Sequence, residues 1–182
     1  MNDIVVVGNA PLDQNETGSG RWIDSHKLVV RFNNFQTVGF ETDRGSKTSI
    51  WVFIQNHWKV SLPRNELIPW VWQVCPNQRN TEAQYHETVA AGRPRWILRA
   101  REIMPVSSEI GCNMPSTGAL AVYYLVQAYL TIDIIGFNHF SSEHLHYYSD
   151  GQPEYISHDR EAEACYFRNL IAWHRIEKYT AG

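Results

Sequence analysis

The pattern of apolar positions along the chain predicts a series of short strands. Residues 4–7 form an unbroken run of Ile and Val, which is typical of a strand buried on both faces of a parallel sheet. Short segments rich in β-branched and aromatic residues, each with one or two polar positions, predict further strands at residues 28–32, 49–53, 70–74, 95–99 and 132–135.

Helical segments are predicted between and after these strands. Residues 119–129 form an apolar segment of about three turns, and residues 81–91 have moderate helical character. Residues 159–178 are predicted as a last helix with acidic residues in its first turn. Residues 39–47 and 104–112 are predicted as loops. The alternation of strands and helices favours an α/β fold with a largely parallel central sheet flanked by helices.

A polar motif, Pro115-Ser116-Thr117-Gly118, stands directly before the apolar helix. Ser and Thr oxygens accept hydrogen bonds from first-turn N–H groups and so favour a helix start. That helix start also offers spare N–H donors and a partial positive charge to a phosphate, and Gly118 would let a ligand approach closely. The motif therefore predicts a phosphate-binding helix start, although an N-capped core helix that binds nothing explains the same residues.

Three of the predicted strands end at residues that suit a ligand site. The first is followed by Gly8-Asn9, the second by Asn33-Asn34, and the strand at 132–135 by Gly136-Phe137. Ligands of open α/β sheets bind outside the carboxyl ends of the strands. The asparagines could present amide groups to one ligand, whereas a turn-forming role is the simpler explanation. The G-x-G-x-x-G spacing of a dinucleotide site is absent.

Composition narrows the class of protein. A chain of 182 residues fits a single domain over residues 1–182, and its 43% hydrophobic and 19% charged residues argue against disorder. A net charge of −3 gives no basic footprint, so nucleic acid is not expected as a partner.

Cysteine usage and hydropathy predict a location. The three cysteines are odd in number and widely spaced, which suits a reducing compartment. No apolar run approaches the ~18 residues of a membrane helix, so no transmembrane segment is expected. The polar start enters a strand almost at once and leaves no room for a signal peptide. We therefore expect a soluble, cytoplasmic protein or a soluble catalytic fragment of a larger one, with peripheral membrane contact left open.

Four histidines lie close together in the sequence, namely His139, His144, His146 and His158. They lack the i, i+4 spacing of zinc helices and an accompanying cysteine, so no metal is expected. A neutral histidine instead suits general-base work on a hydroxyl. His158 stands at a predicted helix start, where the helix dipole disfavours the protonated ring. A solvated loop residue is the alternative explanation for any one of them.

Taken together, these stretches resemble the sialyl motifs of sialyltransferases, the enzymes of glycosyltransferase family 29. His146-Tyr147-Tyr148 is similar to the third motif, and His158 with Glu163 matches the very short H-x-x-x-x-E motif. The segment from Pro115-Ser116-Thr117-Gly118 to Ile135-Gly136-Phe137 resembles the short motif. The long motif is resembled by Val5-Val6-Val7-Gly8-Asn9-Ala10-Pro11, Gly20, Ile23-Asp24, Val29-Val30-Arg31-Phe32-Asn33 and Gly45-Ser46-Lys47-Thr48.

The resemblance implies a variant GT-A fold with a Rossmann-like sheet that works without a metal or other cofactor. It implies an inverting transfer of a sugar, normally sialic acid, from a CMP-sugar donor to a hydroxyl of a glycan or glycolipid acceptor. Asn9 and Asn33 would contact the nucleotide and its phosphate, and His146 the phosphate or leaving group. His158 would take the acceptor's proton, and Glu163 would support the start of its helix. Ser116, Thr117 and Gly118 would hold the donor, with Gly136 and Phe137 beside them.

Alternatives to a sialyltransferase stay open. The secretory animal members join the long and short motifs by a disulfide that has no counterpart here, which favours a bacterial enzyme of surface glycan biosynthesis. The donor could be another CMP-activated ketose such as CMP-Kdo, and a separate bacterial sialyltransferase group shares similar features. A nucleotide-binding module without catalysis and a structural α/β domain are the alternatives from other classes.

Overall fold

The computed structural model describes residues 2–54, 68–75, 95–138, 146–147 and 158–179. Within these ranges, seven strands form one sheet in which every neighbouring pair is parallel. Their order across the sheet is β5-β4-β3-β2-β1-β6-β7. The strands are β1 (Ile4–Val7), β2 (Leu28–Phe32), β3 (Ile50–Ile54), β4 (Trp70–Cys75), β5 (Arg95–Arg99), β6 (Ile132–Ile135) and β7 (Ile176–Lys178).

Helices lie on both faces of this sheet. Those described are α1 (Gly20–Ser25), α2 (Glu41–Arg44), α3 (Ala100–Ile110), α4 (Thr117–Ala128) and α5 (Arg160–Ala172), with one 3₁₀ turn at Gln14–Glu16. One face of β1, with Ile4 and Val6, shares a core cluster with α3, α4 and α5. The other face, with Val5 and Val7, packs against Ile23 of α1. Burial on both faces explains why β1 is an unbroken apolar run.

The strand order reverses between β1 and β6. From β1 the chain builds β2 to β5 on one side, then returns to place β6 on the other side of β1. Connections on either side of such a point diverge, which opens a crevice outside the carboxyl ends of the two strands. The turn after β1 begins at Gly8, and the turn after β6 begins at Gly136.

Most strand predictions are confirmed by the structure, as is the α/β class with its parallel sheet and flanking helices. The strands predicted at residues 4–7, 28–32, 95–99 and 132–135 have those bounds; β3 is shifted by one residue at both ends, and β4 extends one residue further than predicted. The helix predicted at 119–129 is α4. The helix predicted at 81–91 lies outside the described residues.

Three predictions are wrong. The loop predicted at 104–112 is largely occupied by α3, because Ile103, Val106 and Ile110 form a buried stripe at helical spacing despite Pro105. The loop predicted at 39–47 contains α2. The last helix does not reach residue 178: it ends at Ala172, His174 takes a left-handed φ of 53°, and the chain continues into β7.

Candidate functional site

The turns after β1 and β6 meet through their main chains. Gly8 N–H donates to Ile135 O at 2.8 Å, and Ala10 N–H donates to Gly136 O at 3.2 Å. A Cβ atom on Gly8 would overlap the carbonyl oxygen of Gly136, and Gly136 itself has a left-handed φ of 71°. Both positions therefore require glycine. This contact sets the floor of the crevice at the point where the strand order reverses.

Asn9 and Asn33 lie at the carboxyl ends of adjacent strands, and both are partly exposed. Asn9 Nδ2 donates to Phe32 O at 3.0 Å, next to Asn33. Asn33 has a φ of 45°, and its Oδ1 accepts from Ile54 N–H at 3.1 Å. Both side chains thus fasten strand ends, as turn asparagines do, and both remain at the same edge of the sheet.

The motif at 115–118 begins α4 beside the end of β6. Ser116 is the N-cap residue, and its Oγ accepts from Ala119 N–H at 3.1 Å. The first N–H to donate within the helix is that of Leu120, which donates to Ser116 O, so the earlier N–H groups of Thr117 and Gly118 have no partner within the helix. A Cβ on Gly118 would lie 3.0 Å from the ring of Phe137. Thr117 is only 8% exposed.

Glu163 joins α5 to the start of α4. Its carboxylate is 3% exposed and accepts from Ser116 N–H at 2.6 Å and from Ser116 Oγ–H at 2.7 Å. Burial raises the pKa of Glu163, although both hydrogen bonds oppose that rise. The start of α5 is instead capped by Asp159, whose Oδ1 accepts from Ala162 N–H. The hydrogen bonds of the Glu163 carboxylate thus reach the start of α4, a contact that the sequence did not predict.

His158 lies immediately before the N-cap of α5 and next to the start of α4. Its Nδ1 is 2.9 Å from Met114 O, two residues before Ser116. Because a carbonyl oxygen only accepts, Nδ1 carries the proton in the neutral ring, and Nε2 is then the basic nitrogen. The side chain is partly exposed, so the geometry suits a general base.

His146 and Tyr147 lie beside Asn9. Tyr147 N–H donates to Asn9 O at 3.0 Å, so this segment crosses the turn after β1. The Tyr147 hydroxyl accepts from Gln36 N–H at 2.7 Å and donates to Gln36 O. Burial raises the pKa of Tyr147. His139, His144 and Tyr148 lie outside the described residues.

Arg44 belongs to this site and was not singled out from the sequence. Its guanidinium donates from Nη1 to Gly8 O at 2.7 Å and from Nη2 to Ala10 O, and Cζ lies 3.9 Å from the centroid of the Tyr147 ring. Burial lowers the pKa of Arg44 to about 10. A signal was present: Arg44 directly precedes Gly45-Ser46-Lys47-Thr48, a stretch of the long motif.

The loop that carries this motif stretch is held by Asp24. The Asp24 carboxylate accepts from Ser46 N–H at 2.9 Å and from Lys47 N–H at 2.9 Å. Several residues that resemble the long motif therefore fix the backbone around α1 and α2, and they place Arg44 under the turn after β1.

Metal-ligand clusters and membrane-spanning helices are both absent from the described ranges. No three His, Cys, Asp or Glu side chains there lie close enough together to hold an ion. In the same part of the chain, no helix combines the length and the apolar character needed to cross a membrane.

Comparisons with known proteins point to one family. The model of "Glycosyltransferase family 29 (sialyltransferase)" matches residues 2–82. Beta-galactoside alpha-2,6-sialyltransferase 2 of Homo sapiens is 24% identical over 179 residues, covering 83% of this chain and 30% of the relative. CMP-N-acetylneuraminate-beta-galactosamide-alpha-2,3-sialyltransferase 1 of Gallus gallus is 26% identical over 162 residues, covering 79% and 46%. Beta-1,6-galactosyltransferase GALT29A of Arabidopsis thaliana is 26% identical over 199 residues, covering 91% and 50%.

Solved structures share the fold. A crystal structure of a mammalian sialyltransferase superposes with a TM-score of 0.74 at 23% identity, covering all of this chain and 70% of the other. A mammalian sialyltransferase in complex with Gal-beta-1-3GalNAc-ortho-nitrophenol gives a TM-score of 0.70 at 22% identity, covering 98% and 69%. The chain spans half or less of the length of the three relatives described above.

Proposed function

We propose that this chain, a relative of the sialyltransferases of glycosyltransferase family 29, transfers a sugar from a CMP-sugar to a hydroxyl of a glycan or glycolipid. Sialic acid is the first candidate for the sugar. The observation that carries the proposal is the position of four elements at one edge of the sheet: the turns after β1 and β6, the start of α4, and His158. They are linked by the contacts between Gly8 and Gly136, Phe137 and Gly118, and His158 and Met114.

The donor nucleotide is proposed to bind over the turns after β1 and β2 and the start of α4. Asn9 and Asn33 border the crevice, and the N–H groups of Thr117 and Gly118 suit an anionic oxygen. Ser116, through Glu163, fixes the direction of that helix start. Gly136 and Phe137 close the site from the end of β6. This arrangement suits a nucleoside monophosphate better than a dinucleotide.

Catalysis is proposed to proceed with inversion and without a metal. As the bond from the anomeric carbon to CMP breaks, negative charge grows on the phosphate, where helix-start N–H groups and His146 can meet it. The acceptor oxygen attacks the anomeric carbon from the opposite face and gives its proton to Nε2 of His158. The hydrogen bond from Nδ1 to Met114 O holds the ring in the tautomer that this step requires.

We further propose a variant GT-A fold, a single domain over residues 1–182 and a cytoplasmic location with peripheral membrane contact. A bacterial origin and a role in surface glycan synthesis stay predictions, and the relatives described above come from eukaryotes. The Arabidopsis thaliana relative is named a galactosyltransferase, which is a reason to test donors other than CMP-sialic acid.

The test compares His158→Ala with the wild type in two measurements. Calorimetry gives the affinity for CMP. Turnover is measured as the release of CMP from CMP-sialic acid and from CMP-Kdo, and of UDP from UDP-galactose, with and without glycan acceptors. We expect CMP to bind the variant as it binds the wild type, with turnover lower by about 10²–10⁴-fold, the usual contribution of a general base.

His174→Asn is the matched control. His174 is exposed, and its carbonyl oxygen accepts from Thr131 Oγ1, which places it near the amino ends of β6 and β7. Its backbone is left-handed, a conformation that Asn tolerates well. Its turnover should equal that of the wild type. Unchanged turnover in His158→Ala refutes the base. CMP binding without any donor turnover in the wild type favours the non-catalytic module, and absent CMP binding refutes a CMP site.

A further inference from the structure

Arg44 is a cation enclosed at the floor of the crevice. Its side chain is 2% exposed, and its described hydrogen-bond acceptors are the main-chain oxygens of Gly8 and Ala10. A Cβ on Gly136 would lie 2.9 Å from Arg44 Nη1, and the ring of Tyr147 packs on the guanidinium plane. The guanidinium thus contacts the turns after β1 and β6 and the Tyr147 segment at once.

The charge of Arg44 has no carboxylate partner in direct contact within the part of the chain that the structure describes. Among the described residues, no Asp or Glu oxygen lies within 4 Å of its nitrogens. A second arginine adds to the buried positive charge. Arg31 is 1% exposed and donates to Arg44 O at 2.6 Å and to Lys47 O at 3.0 Å.

Buried charges in proteins are normally paired, because an unpaired charge in a low-dielectric interior costs several kcal/mol. Carbonyl dipoles and the π face of Tyr147 offset part of that cost. Two acidic groups, Glu16 and Asp43, act on Arg44 electrostatically, without an ion pair to it within 4 Å. Positive potential therefore remains under the Gly8–Ala10 turn, where the crevice opens.

We propose that Arg44 is a positioning residue that holds positive charge beneath the donor site. Because of this charge, the site binds a ligand that carries a phosphate more tightly than it binds the neutral nucleoside. It acts through the Gly8–Ala10 turn, which it fastens, and through the field of its enclosed charge. The inference rests on the proposed function, since it names the part of the donor that this residue recognises.

The test is the ratio of the dissociation constants for cytidine and CMP, measured by calorimetry on the wild type, Arg44→Met and Arg44→Lys. One unit charge acting across about 12 Å of protein with an effective dielectric of about 20 changes an affinity by about tenfold. We expect Arg44→Met to weaken CMP binding by about that factor and to leave cytidine binding within about twofold. Arg44→Lys should recover most of the ratio.

Two further variants separate charge from structure. Arg21→Met removes an exposed positive charge from α1 and should not change the ratio. Asp43→Asn keeps the oxygen that accepts from Gly18 N–H and removes a negative charge that acts on Arg44, so CMP binding should strengthen by about twofold.

The outcomes are distinct. A wild type that does not bind CMP refutes the proposed function itself. If the wild type binds CMP and Arg44→Met weakens cytidine and CMP equally, Arg44 only shapes the turn and the present inference is wrong. If Arg44→Met does not fold, Asp43→Asn decides the question, and an unchanged ratio in that variant overturns the inference.

Discussion

Removing the Glu163 carboxylate should destabilise the fold strongly, because it fixes the start of α4. The carboxylate is buried and accepts two hydrogen bonds from Ser116, at 2.6 and 2.7 Å. In Glu163→Ala the Ser116 N–H and hydroxyl lose their acceptor, and each unsatisfied buried polar group costs about 1–3 kcal/mol. Since burial raises the pKa of Glu163, part of this loss is offset by not having to bury a carboxylate. We therefore expect the free energy of unfolding to fall by about 3 kcal/mol.

Urea denaturation followed by circular dichroism measures this change. Glu161→Ala is the matched control, because Glu161 lies on the same helix and its partner Arg168 is on the surface. A surface pair of this kind contributes little, so the control should match the wild type. A loss below about 1 kcal/mol in Glu163→Ala would show that the two hydrogen bonds do not fix α4.

A double-mutant cycle with Ser116→Ala isolates one of the two bonds. Ser116→Ala removes the hydroxyl and the N-cap, at a cost of about 1 kcal/mol, and leaves the N–H donating to Glu163. Because the two side chains are in contact, the double variant should be more stable than additivity predicts by about 1–2 kcal/mol. Strict additivity would contradict the hydrogen bond between the Ser116 hydroxyl and Glu163.

Two further predictions follow from the same region. Gly8→Ala should prevent stable folding or lower the unfolding midpoint by many degrees, because the added Cβ would overlap Gly136 O. A thermal melt with the same midpoint as the wild type would contradict the packing of the turn after β1 against the turn after β6. The pKa of Glu163 is higher in the folded state than its ordinary value of 4.5, so the folded protein binds this proton more tightly than the unfolded chain does. The resulting contribution to stability is full below pH 4.5 and is lost as pH rises through the raised pKa. Glu163→Gln does not titrate and should lack this loss. The free energy of unfolding of the wild type should therefore fall relative to that of the variant as pH rises from 4.5. A constant difference between the two across that window would contradict the raised pKa.

The strands were predictable because their sequence signal is local. A strand buried on both faces needs apolar residues at nearly every position, and residues 4–7 show this directly. The apolar runs at 28–32 and 132–135 show it with one interruption each, at Arg31 and Asp133. β7 has no such signal, because two of its three residues are exposed and charged at the sheet edge. α3 was missed because Pro105 and two serines obscure a buried stripe whose partners lie on α4 and α5.

The candidate site was predictable where motif residues form its main chain. Gly8 and Gly136 are required by close approaches that only glycine permits, Gly118 lies against the ring of Phe137, and Ser116 caps the helix that follows it. The partner of Ser116 could not be predicted from the residues around it, because Glu163 is 47 positions away. Its acceptor role depends on how α5 packs against α4.

Arg44 illustrates most clearly what sequence reasoning lacks. In the sequence it is a charged residue in a polar stretch, for which a solvated position is the ordinary expectation. Its burial depends on partners from three distant segments: the turn at Gly8 and Ala10, the turn at Gly136, and the ring of Tyr147. Only the parallel pairing of β1 with β2 and β6 brings these segments together. An enclosed cation at the point where the strand order reverses is therefore a property of the fold and not of the local sequence.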